Sequence, residues 1–190
     1  SSHRSFRPVD IKMGPEGAVY VVDWYNPITC HQDDAYRHPD RDKAHGRIWR
    51  ISTSRPVTSP GNLLKAPTAD VVQQLSSTEH VTRYLAKRAL TVRDEDEVRK
   101  AVTEWTQGLD RSHVDLDHHL FEALSALATL EIIDASLLER LLGSHNPNAR
   151  AFAARTVGRW YDRLESPLQL LKPLVIDDHP RVRLEAIMAC

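Results

Sequence analysis

The chain has 190 residues, of which 41% are hydrophobic and 27% charged, and its net charge is −1. This length holds one large domain or two small ones, and the composition is that of a globular chain. Near-neutrality excludes a strong electrostatic pull towards nucleic acid or anionic lipid, and no run of 18 apolar residues offers a membrane span.

The first residues, Ser1-Ser2-His3-Arg4, lack the apolar core of a signal peptide. Val9 and Ile11 then alternate with Asp10 and Lys12, the period of a strand. Gly14-Pro15-Glu16-Gly17 is turn chemistry, because proline pre-sets one dihedral and glycine permits a positive φ. Ala18 to Val22, β-branched and aromatic, predicts a second strand and hence a hairpin. Arg47-Ile48-Trp49-Arg50-Ile51 predicts a third strand.

Between the second and third strands lies a long polar loop, from about Trp24 to Gly46, that carries His31, Asp33, Asp34, Arg37, His38, Asp40, Arg41, Asp42 and His45. A loop of this length is either a solvated connection or a site held on a strand scaffold. Its carboxylates suit Ca²⁺ and its histidines Zn²⁺ or a redox metal, but neither an HExxH pair nor an EF-hand series is present. Metal identity stays open on this pattern. Cys30-His31 is not a haem attachment motif, since position 27 is proline rather than cysteine. Cys30 and Cys190 are the two cysteines, too few for a disulfide framework.

Phe6 to Ile28 (FRPVDIKMGPEGAVYVVDWYNPI) and Arg41 to Ile51 (RDKAHGRIWRI) together carry a resemblance. They resemble the last propeller blade of the large membrane-bound dehydrogenase-like proteins of planctomycetes, over about residues 5–57. Those proteins are similar in their β-propeller to soluble pyrroloquinoline-quinone (PQQ) sugar dehydrogenases, and many continue into HEAT-type repeats and a c-type haem domain. The resemblance implies that Arg7 and Asp23 contribute to the cofactor pocket, the arginine fork suiting the carboxylates of a quinone acid. It implies PQQ and Ca²⁺ in the parent protein, haem c on a domain outside this chain, a sugar-like substrate and a periplasmic or otherwise extracytoplasmic location. Read as residues alone, Arg7 is equally a strand-end charge and Asp23 a turn cap, while Asp10 is expected to bond backbone. Trp24, Tyr25 and Trp49 are expected to pack rather than to line a pocket. One blade cannot hold a whole propeller site, so no catalytic residue and no activity are expected of this chain alone.

Residues 58–67, with Ser59-Pro60-Gly61 and Ala66-Pro67, predict a linker. Beyond it a pattern recurs: Leu75 with Arg83, Leu142 with Arg150 and Val175 with Arg183, an arginine eight residues after an apolar position and an alanine (Ala86, Ala153, Ala186) three residues after that. The arginines at 150 and 183 are 33 apart, and a further copy centred near Asp117 completes the period. Such a period marks stacked helix pairs, here resembling HEAT repeats. The arginines are expected to bond turn carbonyls or carboxylates of an adjacent repeat. Helices are predicted over 68–76, 79–93, 95–107, 114–130, 135–143, 147–163, 167–176 and 180–190. Phe121, Leu124, Leu127 and Leu130 form a core stripe, and His113, His118 and His119 form no ligand pattern.

The expected fold is therefore mixed and mostly α: a propeller-blade fragment over 1–57, a linker over 58–67, and a HEAT-like helical solenoid over 68–190. The unstopped apolar run Leu184 to Cys190 makes the chain read as part of a longer protein. Two functional expectations follow. One is a fragment of an extracytoplasmic dehydrogenase-like protein whose helices act as spacer or docking surface for a protein partner. The other is a non-catalytic scaffold for protein or carbohydrate binding.

Overall fold

A computed structural model describes residues 3–14, 17–28, 37–52, 54 and 61–190. The chain divides into two compact units, Ser1–Ser59 and Pro60–Cys190. The turn residues Pro15 and Glu16, the loop residues Cys30, His31, Asp33 and Asp34, and the first three residues of the linker, 58–60, lie outside the described residues.

Among the described residues the first unit holds three strands: β1 (Pro8–Met13), β2 (Val19–Asp23) and β3 (Arg47–Ile51). They form one antiparallel sheet in the order β1-β2-β3. Ile11 faces Val21 and Val21 faces Trp49, while Met13, Val19 and Ile51 make the next row and Asp23 faces Arg47. The register shifts between Pro8 and Asp10, so Val9 is the extra residue of a bulge. Gly17 takes φ 71°, the positive value that the sequence Gly14 to Gly17 was read to need, and the Gly14 N–H donates to Ala18 O at 2.8 Å.

This sheet corrects the expectation of a propeller blade. A blade is typically a four-stranded sheet packed between its neighbours. Here, among the described residues, the sheet has three strands and is open, and every residue of β1 is exposed. Ile11 is 62% exposed, Ile48 70% and Ile51 59%. The physical reason is that alternation and turn chemistry specify a local hairpin. They carry no information about whether the sheet closes into a ring, because closure depends on contacts remote in sequence. About half of the described residues are helical.

The second unit is helical throughout: α1 (Thr68–Gln73), α2 (His80–Leu90), α3 (Glu95–Gln107), α4 (Leu116–Thr129), α5 (Ala135–Leu142), α6 (Pro147–Arg159), α7 (Pro167–Leu171) and α8 (Pro180–Met188). Short 3₁₀ turns follow α1, α6 and α7, at Gln74–Ser76, Tyr161–Arg163 and Leu174–Ile176. The starts are chemically marked. Asp94, Asp134 and Asn146 accept a backbone N–H of the first turn, and Pro147, Pro167 and Pro180 open helices where no donor is lost.

One continuous core fills this unit, with Leu75, Leu90, Leu124, Leu127, Leu138 and Trp160 fully buried. Truncating any one of its leucines to alanine removes apolar contact and leaves a cavity, a loss of about 2–5 kcal/mol. Arg93 secures the entry segment: its guanidinium donates to Leu63 O at 2.8 Å, Ala66 O at 2.6 Å and Thr68 Oγ1 at 2.6 Å. Small residues let α6 and α8 approach, and a Cβ built on Gly158 would lie 2.9 Å from the Cβ of Ala189.

Candidate functional site

Among the described residues of the first unit, a dense polar arrangement centres on Asp23, at the end of β2 and only 1% exposed. Its Oδ1 accepts the backbone N–H of Arg7 at 2.8 Å and that of Tyr25 at 2.9 Å. Its Oδ2 accepts Arg47 Nε at 2.9 Å and the Trp49 indole N–H at 2.9 Å, and it lies in ion-pair contact, without a hydrogen bond, 2.8 Å from Arg47 Nη2. Burial by itself raises the affinity of this carboxyl for a proton. The four donors outweigh that and hold it well below the usual carboxylate range.

Around this centre the aromatic residues stack on cations. The Arg47 guanidinium lies 3.9 Å from the Tyr25 ring centroid and 4.9 Å from that of Trp49. Arg41 lies 5.4 Å over Trp24. Tyr25 sits at φ 54°, a left-handed backbone that costs a non-glycine residue about 1–2 kcal/mol. The bond from its own N–H to Asp23 and the Arg47 contact hold it there. Buried Asn26 continues the node, donating to Asp42 O at 3.2 Å and accepting from Ile28 N at 3.0 Å. Asp42 in turn accepts from Ala44 N, which holds its carboxyl below the usual range, and from the N–H and ring of His45.

Arg7 and Asp23, the two residues expected to touch a cofactor, are thus brought together, but through the Arg7 backbone. The Arg7 Nη1 donates to Phe6 O at 3.0 Å, and its Nε is buried with no partner among the described residues. Fit to a quinone acid divides between the two. The orphaned Nε of Arg7 is a donor that an acidic ligand would satisfy. Asp23 has both oxygens engaged and offers nothing to a ligand or a cation. Among the described residues no group of three or more His, Cys, Asp or Glu is arranged to hold a metal ion. His38, Asp40 and His45 are exposed loop residues, and Asp10 bonds the backbone N–H of Ile11 at 2.9 Å. A surface recess of about 630 Å³ lies beside the node, lined by Val9, Val22, Trp24, Gly46, Arg47 and Ile48.

Sequence reading missed Arg47 as the main cation of this node. The available signal was the paired ends of β2 and β3, since a strand that ends in Asp beside one that starts with Arg places the two charges opposite each other. It also missed Glu122 in the helical unit. Glu122 is 3% exposed on α4 and takes Arg83 at 2.9 Å and Lys87 at 2.8 Å, both from α2, with His118 at 3.7 Å. The histidines do cluster: His113 stacks on His119 at 5.5 Å, and His118 lies 6.3 Å from it. Burial, then the neighbouring His113 and His118, lower the His119 pKa. A separate apolar recess of about 640 Å³, lined by Leu63, Leu64, Leu85, Ala89 and Val92, opens on the same unit.

A family described as a domain of unknown function (DUF7133) matches residues 1–55, which lie within the strand unit. No curated protein and no solved structure matches the chain significantly. No helix of the structure, among the described residues, is long and apolar enough to cross a membrane.

Proposed function

We propose that this chain is a non-catalytic spacer and docking piece of a larger, extracytoplasmic dehydrogenase-like protein of the planctomycete type. The dehydrogenase-like part of this reading rests on the resemblance of residues 5–57, and one observation carries the non-catalytic part. Asp23, the buried carboxylate best placed for chemistry, is consumed by four donors from Arg7, Tyr25, Arg47 and Trp49. The same holds for three carboxylates of the helical unit whose affinity for a proton is lowered by arginine. Asp177 is paired with Arg150, Glu185 with Arg155, and Glu131 with Arg163 and Arg159. Perturbed titration marks a reactive site when a group is left available. Here these groups are committed to holding elements together. The helices then supply an extended surface, as stacked pairs do.

A second reading is kept for the parent protein because of the unpartnered Nε of Arg7. In it the strand unit forms one wall of a PQQ site in a sugar or alcohol dehydrogenase, with Arg7 bonding a cofactor carboxylate. Two measurements separate the readings. A dye-linked sugar oxidation assay of the 190-residue chain with added PQQ and Ca²⁺ is expected to be blank, and turnover would overturn the first reading. Calorimetric titration with PQQ is expected to show no binding that Arg7→Ala removes. Binding lost in that variant would establish the second reading in place of the first.

A further inference from the structure

Three arginines occupy equivalent places at the start of α2, α6 and α8, and each bonds the turn before its own helix. Arg83 Nη1 donates to Ser77 O at 2.7 Å and Thr78 O at 3.0 Å. Arg150 Nη1 donates to Ser144 O at 2.8 Å and His145 O at 3.2 Å. Arg183 Nη1 donates to Asp177 O at 2.7 Å and Asp178 O at 3.0 Å. The rest of the guanidinium then reaches forward. Arg83 Nε takes Glu122, and Arg150 Nε and Nη2 take both oxygens of Asp177, each at 2.8 Å. Asp117, which stands at the arginine place of the remaining copy, also reaches forward, accepting from Ser144 Oγ at 2.6 Å. Arg183 alone of these residues has no forward partner: its Nε and Nη2 meet no carboxylate among the described residues.

The surface beside that open fork is apolar. Leu184 is 58% exposed, Ile187 60% and Met188 76%, at the helical spacing that presents one stripe. The residues 33 places earlier on α6 are Ala151, Ala154 and Arg155. There the two alanines are buried in a helix that packs along α8, and Arg155 pairs with Glu185. The open face of α8 therefore matches, position for position, the face by which α6 receives the following helix.

We propose that the face of α8 formed by Arg183, Leu184, Ile187 and Met188 seats one more helix pair in series, bearing an Asp or Glu at the turn between its helices. A planar fork with two free donors selects a carboxylate over a neutral group, and it fixes the register of whatever sits beside it. The apolar stripe supplies the burial, as in the recognition of an amphipathic helix by a groove. The proposal rests on the helical unit alone and is independent of the dehydrogenase reading.

Appending a second copy of residues 158–190 after Cys190 places the copied Asp177 27 residues beyond Arg183, the separation between Arg150 and Asp177. Thermal unfolding followed by circular dichroism is then compared for the 190-residue and extended chains, each with Arg183, Arg183→Met or Arg183→Lys. The extended chain is expected to gain helical signal and a higher Tm. Both substitutions are expected to cost it about 4 °C more than they cost the shorter chain. No added helix, or equal losses in the two chains, would overturn the proposal. Self-association of the shorter chain that Arg183→Glu abolishes would also overturn it, by making a second copy the occupant.

Discussion

Asp23 shows how one buried carboxylate can organise a small sheet. Its two oxygens tie the residue before β1, the start of β3, a strand tryptophan and the backbone beyond β2 to one point. A buried charge without such partners would give up its proton rather than stay ionised. Because its folded pKa is depressed, the stabilisation it gives is complete above the unfolded value of about 3.9 and is lost as pH falls through the folded value. The Trp49 indole N–H resonance is therefore expected to stay in place from about pH 7 down to about pH 3. A shift of that resonance with a midpoint near pH 4 would refute the assignment. Asp23→Asn keeps the shape but removes the charge that Arg47 faces, so the strand unit is expected to unfold at lower temperature while the helices are unaffected.

At the scale of elements, the close approach of α6 to the end of α8 depends on Gly158. Replacing a helical glycine with alanine ordinarily stabilises by about 0.5–1 kcal/mol, because less backbone entropy is lost on folding. Here the new Cβ would lie 2.9 Å from Ala189 Cβ and 3.0 Å from its Cα, so α8 must shift. Overpacking of this kind costs about 1–3 kcal/mol, which exceeds the propensity gain. Gly158→Ala is expected to lower Tm in a melt followed by circular dichroism, and a raised Tm would show that α8 yields freely. The helix ends have an equally local logic. The periodic run predicted over 147–163 divides at Trp160, whose burial turns the chain from α6 into a 3₁₀ turn. The run over 167–176 divides in the same way near Pro173, which cannot donate to a continuing helix.

Over the whole molecule, the helical elements were readable because proline, Asn and Asp starts and the recurring arginine are local signals. The three strands were readable for the same reason. What alternation could not supply was the sheet's surroundings, so the blade expectation failed where Ile48 and Ile51 stand exposed. The nearness of Arg7 to Asp23 is local to the hairpin, whereas the engagement of the same carboxylate by Arg47 and Trp49 requires the third strand in register. These differences bear on stability. In the strand unit the buried apolar residues among those described are Ala18 and Val21, whereas the helical unit buries a continuous core from Leu63 to Ala186. Three strands with so little apolar burial are marginal alone, since burial must offset chain entropy. The helical unit meets that requirement within its own residues. A polypeptide of residues 60–190 is therefore expected to keep its helical circular dichroism and melt in one cooperative step. In the full chain, hydrogen exchange is expected to be fast for the β1 and β3 amides and slow for those of α4 and α6. Equal protection of the strands and the helices would mean that the sheet draws its stability from burial beyond these two residues, and it would contradict the division of stability argued from the two cores.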